Sequence, residues 1–126
     1  MNLERQELLL NPTQMQQIKD ANILLIGVGG VGGAVAHMLV RAGVQNLTIM
    51  DFDKVSDSNI NRQFVAYQST VGRWKVDVLS EQLKDINPMI NLTAINQKFD
   101  STNNIDLTAY TMIVDCIDDV KAKQYY

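Results

Sequence analysis

The stretch NILLIGVGGVGGAVAHMLVRAGV, Asn22 to Val44, constrains the fold more than any other part of the chain. Its apolar run ends abruptly in glycine, which is how a strand buried on both faces reads. A small-residue helical pattern follows. Gly27, Gly29 and Gly32 form a G-x-G-x-x-G at the turn between the two. Glycines there let the backbone approach a phosphate, and the helix N-terminus presents N–H groups and a positive dipole end. Tight packing of strand on helix is the competing explanation, but Gly30 and Gly33 make the loop richer in glycine than packing alone requires.

The rest of the chain repeats this alternation. NPTQMQQIKD predicts a short helix, with Asn11 or Thr13 near its cap. NLTIMDFD predicts a second buried strand ending in acids, and SDSNINRQF a short capped helix. STVGRWKVDVLSEQLKDINP predicts a longer helix that Pro88 stops, with Val76, Leu79, Leu83 and Ile86 on one face. INLTAINQ and YTMIVDCID predict strands three and four, the last again ending in acids. The expected fold is therefore α/β, a Rossmann-like, doubly wound, mostly parallel sheet with helical crossovers. Ligands bind such sheets beyond the carboxyl ends of the strands, where Gly27, Asp51 and Asp118 fall. A fourth strand this apolar calls for more chain to cover it. Residues 1–126 accordingly read as one domain, the N-terminal half of something longer.

Composition narrows the function. A net charge of −3 advertises no nucleic-acid surface by bulk electrostatics. One cysteine and one histidine cannot make an internal disulfide or a zinc site. MNLERQELLL lacks the basic start and apolar core of a signal peptide, and no run of about 18 apolar residues exists to span a membrane. The expected compartment is the cytoplasm. Cys116 reads as core packing inside the fourth strand, and His37 as a packed or surface residue.

Asp51 lies 19 residues after Gly32, where an acid accepts ribose hydroxyls; Asp53 reads as a turn residue. A nicotinamide dehydrogenase, which remains an alternative, needs only backbone amides at its pyrophosphate. Here Asn59 and Arg62 stand three apart just beyond the acid, expected on one helix face. Arginine is a planar fork suited to phosphates. Lys75 comes 13 residues later, near a helix start, where a cation gains nothing from the dipole and is expected to face an anion. Asp118 could hold Mg²⁺ through oxygen. Two cations and a carboxylate around a glycine loop point to MgATP rather than NAD.

In order, GVGGVGG, DFDKVSDSNINRQ, VGRWK, INP and VDCID resemble the ubiquitin-activating-enzyme-like adenylyltransferases over nearly the whole chain. That resemblance implies an adenylation domain in which Asp51 binds the ribose of ATP. Ser58, Asn59, Arg62 and Gln63 would line the phosphates, Lys75 would neutralise the charge on departing pyrophosphate, and Asp118 would hold Mg²⁺. Arg5 matches an arginine that reaches into the partner protomer's ATP site, which implies a homodimer. Within the family, QELLLN, NINRQ and VDCIDDVKAK are most similar to the branch that cyclises the threonylcarbamoyl group of a tRNA adenosine. The branch that activates ubiquitin-like sulfur-carrier proteins is the alternative, and a non-catalytic nucleotide-binding module a further one. Trp74 departs from the family, which usually has Pro before the lysine; it reads as a half-buried packing residue.

Overall fold

The structure is a computed structural model that describes residues 2–3, 9–100 and 105–117. Helix α1 runs over Pro12–Asp20 and opens with a capping box. Its cap is Asn11, whose Oδ1 accepts from the Gln14 amide at 2.8 Å while Gln14 Oε1 accepts from the Asn11 amide at 3.0 Å. Strand β1 (Asn22–Ile26) leads through the glycines into α2 (Gly30–Arg41), then β2 (Asn46–Asp51), α3 (Lys75–Ile86), β3 (Asn91–Asn96) and β4 (Met112–Asp115).

The four strands form one parallel sheet in the order β3-β2-β1-β4. This confirms the expected Rossmann-like α/β architecture. From β1 the chain passes to β2 on one side and, later, to β4 on the other. The strand order thus reverses at the β1–β4 boundary, where open α/β sheets place their ligands.

Alternation along the strands divides the core in two. Ile23, Leu25, Leu47 and Ile49 face the helices and pack with Ala36 and Val40 of α2 and with Val76, Leu79 and Leu83 of α3. Leu24, Ile26 and Met50 face the other way, against Phe99, Leu107 and Tyr110. Leu24, Leu25, Ile49, Leu79 and Leu83 have no exposure at all, and burying each stabilises the fold by about 1.5–3 kcal/mol. Strand β4 is less covered among the described residues, with Met112 and Ile113 exposed. No described helix is long and apolar enough to cross a membrane.

Three local expectations change. The Asn59–Arg62 stretch is not a helix but a single 3₁₀ turn, Asp57–Asn59, followed by turns. Asn59 folds back as a cap, its Oδ1 accepting from the Ser56 amide at 2.9 Å and from Ser56 Oγ at 3.0 Å. Helix α3 begins only at Lys75; a separate 3₁₀ turn, Gln68–Thr70, precedes it. The cause is a backbone zipper, in which Val55 donates to the Arg73 carbonyl and Gly72 to the Val55 carbonyl, leaving those groups unable to join a helix. Finally, β4 ends at Asp115, so Cys116 is not inside it. Cys116 follows the strand, partly buried, its amide donating to the Ile26 carbonyl at 2.9 Å.

Candidate nucleotide site

A cleft of about 570 Å³ opens at the carboxyl end of the sheet. Its floor is the glycine turn. The Gly27 amide donates to the Met50 carbonyl at 2.8 Å, and the next amide, Val28, donates to Asp51 Oδ2 at 2.8 Å. Gly29 caps α2 with no side-chain bond, so the positive end of the helix has no side-chain cap. A Cβ on Gly32 would collide with the Gly27 carbonyl, and one on Gly27 would stand 2.9 Å from the Cys116 carbonyl carbon. The turn therefore presses on both its own helix and the end of β4, and only glycine fits at those two places.

Asp51 does two things at once. Oδ2 holds the glycine turn through Val28, and Oδ1 accepts from the Asp53 amide at 2.8 Å. The turn-forming carboxylate is thus Asp51, while Asp53 faces Lys75 with Nζ and Oδ2 3.9 Å apart. A carboxylate has about four acceptor sites, so these two bonds leave Asp51 capacity for hydroxyl donors at the cleft.

A further wall comes from the segment after the 3₁₀ turn, which runs beside the glycines. Arg62 is exposed, its Nη1 donating to the Ser58 carbonyl at 2.8 Å and to Asn61 Oδ1 at 3.2 Å. Gln63 leans towards the glycines: its Nε2 is 3.4 Å from where a Cβ on Gly29 would sit. Gln63 Oε1 is buried with no hydrogen-bond partner among the described residues. Lys75 completes the ring at the first position of α3, only 6% exposed.

Gly27, Gly29, Gly30, Asp51, Asn59, Arg62, Gln63 and Lys75 all line this cleft. Gly32 is buried beneath the loop, and Ser58 turns its hydroxyl to Ser56 Oγ at 2.9 Å; neither is on the cleft wall. Arg5 and Asp118 lie outside the described residues. Among the described residues no cluster of three or more His, Cys, Asp or Glu could cage a metal. Mg²⁺ beside a nucleotide takes one or two carboxylates and the phosphates, not such a cage.

Sequence reasoning missed part of the wall. Phe52, 48% exposed, lines the rim with Lys98 Nζ 5.7 Å from its ring centroid; Gln97, Phe99 and Ile117 line it too. The carboxyl-end rule, applied to β3 as it was to β1 and β2, would have found residues 97–99. Cys116, expected in the core, also reaches the cleft. His37 is a brace: its Nε2 lies 3.0 Å from Gln82 Oε1, and Gln82 Nε2 donates to the Phe64 carbonyl at 2.8 Å. Trp74 is 38% exposed, caps α3 and carries Lys54 Nζ 4.8 Å from its ring centroid.

Sheet order and the glycine turn between β1 and α2 define an α/β protein of the Rossmann-like class. The chain belongs to the ThiF family, whose model matches residues 3–126. It is 38% identical over 117 residues to a tRNA threonylcarbamoyladenosine dehydratase of Haemophilus influenzae, covering 91% of this chain and 45% of that protein. It is 39% identical over 109 residues to a molybdopterin-synthase adenylyltransferase of Salmonella typhimurium, covering 86% of this chain and 44% of that protein. Among solved structures, the E. coli tRNA N6-threonylcarbamoyladenosine dehydratase in complex with ATP superposes with a TM-score of 0.90 at 32% identity, over 96% of this chain and 51% of that one. The chain spans about half the length of these relatives.

Proposed function

We propose that this chain is the N-terminal part of an adenylation domain, in an ATP-dependent enzyme that activates a carboxylate as an acyl-adenylate. The observation carrying this reading is the convergence of a glycine turn, Arg62, Gln63 and Lys75 on one cleft beside Asp51. A glycine cradle that side chains would fill, with the Gln63 Nε2 donor beside it, fits a phosphate-bearing ligand.

In this reading the acceptor's carboxylate attacks the α-phosphorus and the bond to the β-phosphate oxygen breaks, releasing pyrophosphate. A nucleophile then attacks the acyl carbon and AMP departs. The carboxylate is already ionised at neutral pH, so the first step asks mainly for alignment and charge stabilisation. Asp51 accepts the ribose hydroxyls. Helix amides, Asn59, Arg62 and Gln63 hold the phosphates, with Ser58 supporting Arg62 through its carbonyl. Lys75 meets the charge that grows on pyrophosphate. Bound Mg²⁺ would lower the charge on the phosphates, with Asp118 as the residue to hold it, and Arg5 of a second protomer would complete the site in a homodimer.

The acceptor we favour is threonylcarbamoyladenosine in tRNA, which the protein would cyclise. A relative and an ATP-bound structure of that branch support this. A ubiquitin-like sulfur-carrier protein is the second reading, because a molybdopterin-synthase adenylyltransferase is just as similar.

The test is AMP release from MgATP, with threonylcarbamoylated tRNA in one reaction and a sulfur carrier ending in Gly-Gly in another. AMP with the tRNA alone is expected. AMP with the carrier alone would keep the chemistry and move the acceptor, and AMP with neither would overturn the proposal. Arg62→Ala should lower AMP formation by about 10²-fold, a few kcal/mol of barrier; unchanged turnover would remove Arg62 from the site.

A further inference from the structure

We propose that Asp53 is the counter-charge that Lys75 exchanges for the phosphates of the incoming nucleotide, which makes Asp53 a positioning residue. The inference rests on the ATP reading above.

Lys75 is a cation in an unfavourable place. It is 6% exposed and stands at the N-terminal end of α3, whose dipole opposes positive charge. A buried ammonium needs an anion beside it. Among the described residues that anion is Asp53. Backbone bonds set the pairing: the Lys75 amide donates to the Asp53 carbonyl at 3.0 Å, and the Asp53 amide donates to Asp51 Oδ1 at 2.8 Å. Both residues line the cleft, as do Arg62 and the glycine turn.

The separation is informative. At 3.9 Å the two charges attract, yet the distance exceeds that of a hydrogen bond, so no bond locks the ammonium in place. Its side chain is kept aimed at the cleft while its donors can turn to a nearer anion. The Asp53 side chain is 54% exposed, so water can solvate the carboxylate once the lysine leaves it. A triphosphate entering the cleft takes over Lys75, and Asp53 turns to solvent. The arrangement places the cation before the ligand arrives. It also sets a penalty on binding, because the existing pair must part.

The experiment is titration calorimetry of ATP with the intact protein, with and without Mg²⁺, on Asp53→Asn, Lys75→Met, the double variant and Asp53→Glu. Asp53→Asn preserves shape and backbone bonds and removes only the charge. It should bind ATP about three- to tenfold tighter, the scale of a partly screened pair at this distance. In the Lys75→Met background the same change should alter affinity by less than about twofold, since the partner is gone. Asp53→Glu should stay within about twofold of the unaltered protein. Three results would overturn the proposal: unchanged or weaker binding by Asp53→Asn, tightening that persists without Lys75, or a loss seen only with Mg²⁺, which would make Asp53 a metal ligand. Failure of the unaltered protein to bind ATP would overturn the ATP reading itself, and this inference with it. That outcome is read before any variant is compared.

Discussion

Gly27 and Gly72 form a matched pair that tests how the glycine turn meets the sheet. Their φ angles are +89° and +88°, so alanine at either meets nearly the same backbone strain, about 1–2 kcal/mol. Their surroundings differ. A Cβ on Gly27 would stand 2.9 Å from the carbonyl carbon and oxygen of Cys116 and 3.1 Å from the Ile117 nitrogen, whereas nothing lies within 4 Å of one on Gly72. The atoms facing Gly27 are backbone, and Cys116 is tied to β1 through the Ile26 carbonyl, so no side-chain rotation relieves the clash. Overpacking of this kind adds about 1–3 kcal/mol. Gly27→Ala should therefore destabilise the protein by about 2–5 kcal/mol and Gly72→Ala by about 1–2 kcal/mol. Urea unfolding of both variants measures this, with the midpoint compared at constant slope. Gly27→Ala should also lose ATP affinity, and Gly72→Ala should keep it. Equal destabilisation, within about 0.5 kcal/mol, would refute the close approach of the turn to the end of β4.

Two further substitutions probe the segments around the site. Thr70 Oγ1 donates to the Val65 carbonyl at 2.6 Å and accepts from the Tyr67 amide at 2.9 Å, so Thr70→Val should cost about 1–3 kcal/mol in urea unfolding; a loss under about 0.5 kcal/mol would discount these bonds. On the surface, Arg73 donates to Glu81 through both Nη atoms, and that hydrogen bonding holds the Glu81 carboxyl below its ordinary range. A depressed folded value means that the pair's contribution is present above the unfolded value of about 4.3 and lost as pH falls through the lowered one. The stability difference between the unaltered protein and Glu81→Gln should therefore be small at neutral pH, and should shrink as pH is lowered from about 6 to about 3; a difference that widens in acid would sink the assignment.

What was legible in the sequence was local. The apolar run Ile23–Ile26, the glycines after it and the acid closing β2 each state a requirement that the chain meets within a few residues: burial on both faces, room for backbone, a carboxylate at a strand end. Their spacing carried the sheet class and pointed to the carboxyl ends of the strands, where the cleft opens. The helical reading of Asn59 to Arg62 did not survive, because Ser56 and Asn59 bond each other and close a 3₁₀ turn first. The extended start for α3 failed because residues 72–75 are zipped against 53–55.

By itself, then, the amino-acid order determined a strand–glycine–helix unit, a parallel α/β sheet and the end of that sheet where the glycine turn lies. Only the tertiary structure decided which groups meet there. Asp51 braces the glycine turn as well as facing the cleft, and Asp53 is paired with Lys75 rather than idle in a turn. Cys116 reaches the cleft, and Lys98 arrives over Phe52. The reason is physical: periodicity and glycine spacing report the needs of single segments, whereas charge pairing depends on distances between segments far apart in the chain, which exist only once the sheet and its zippers have closed.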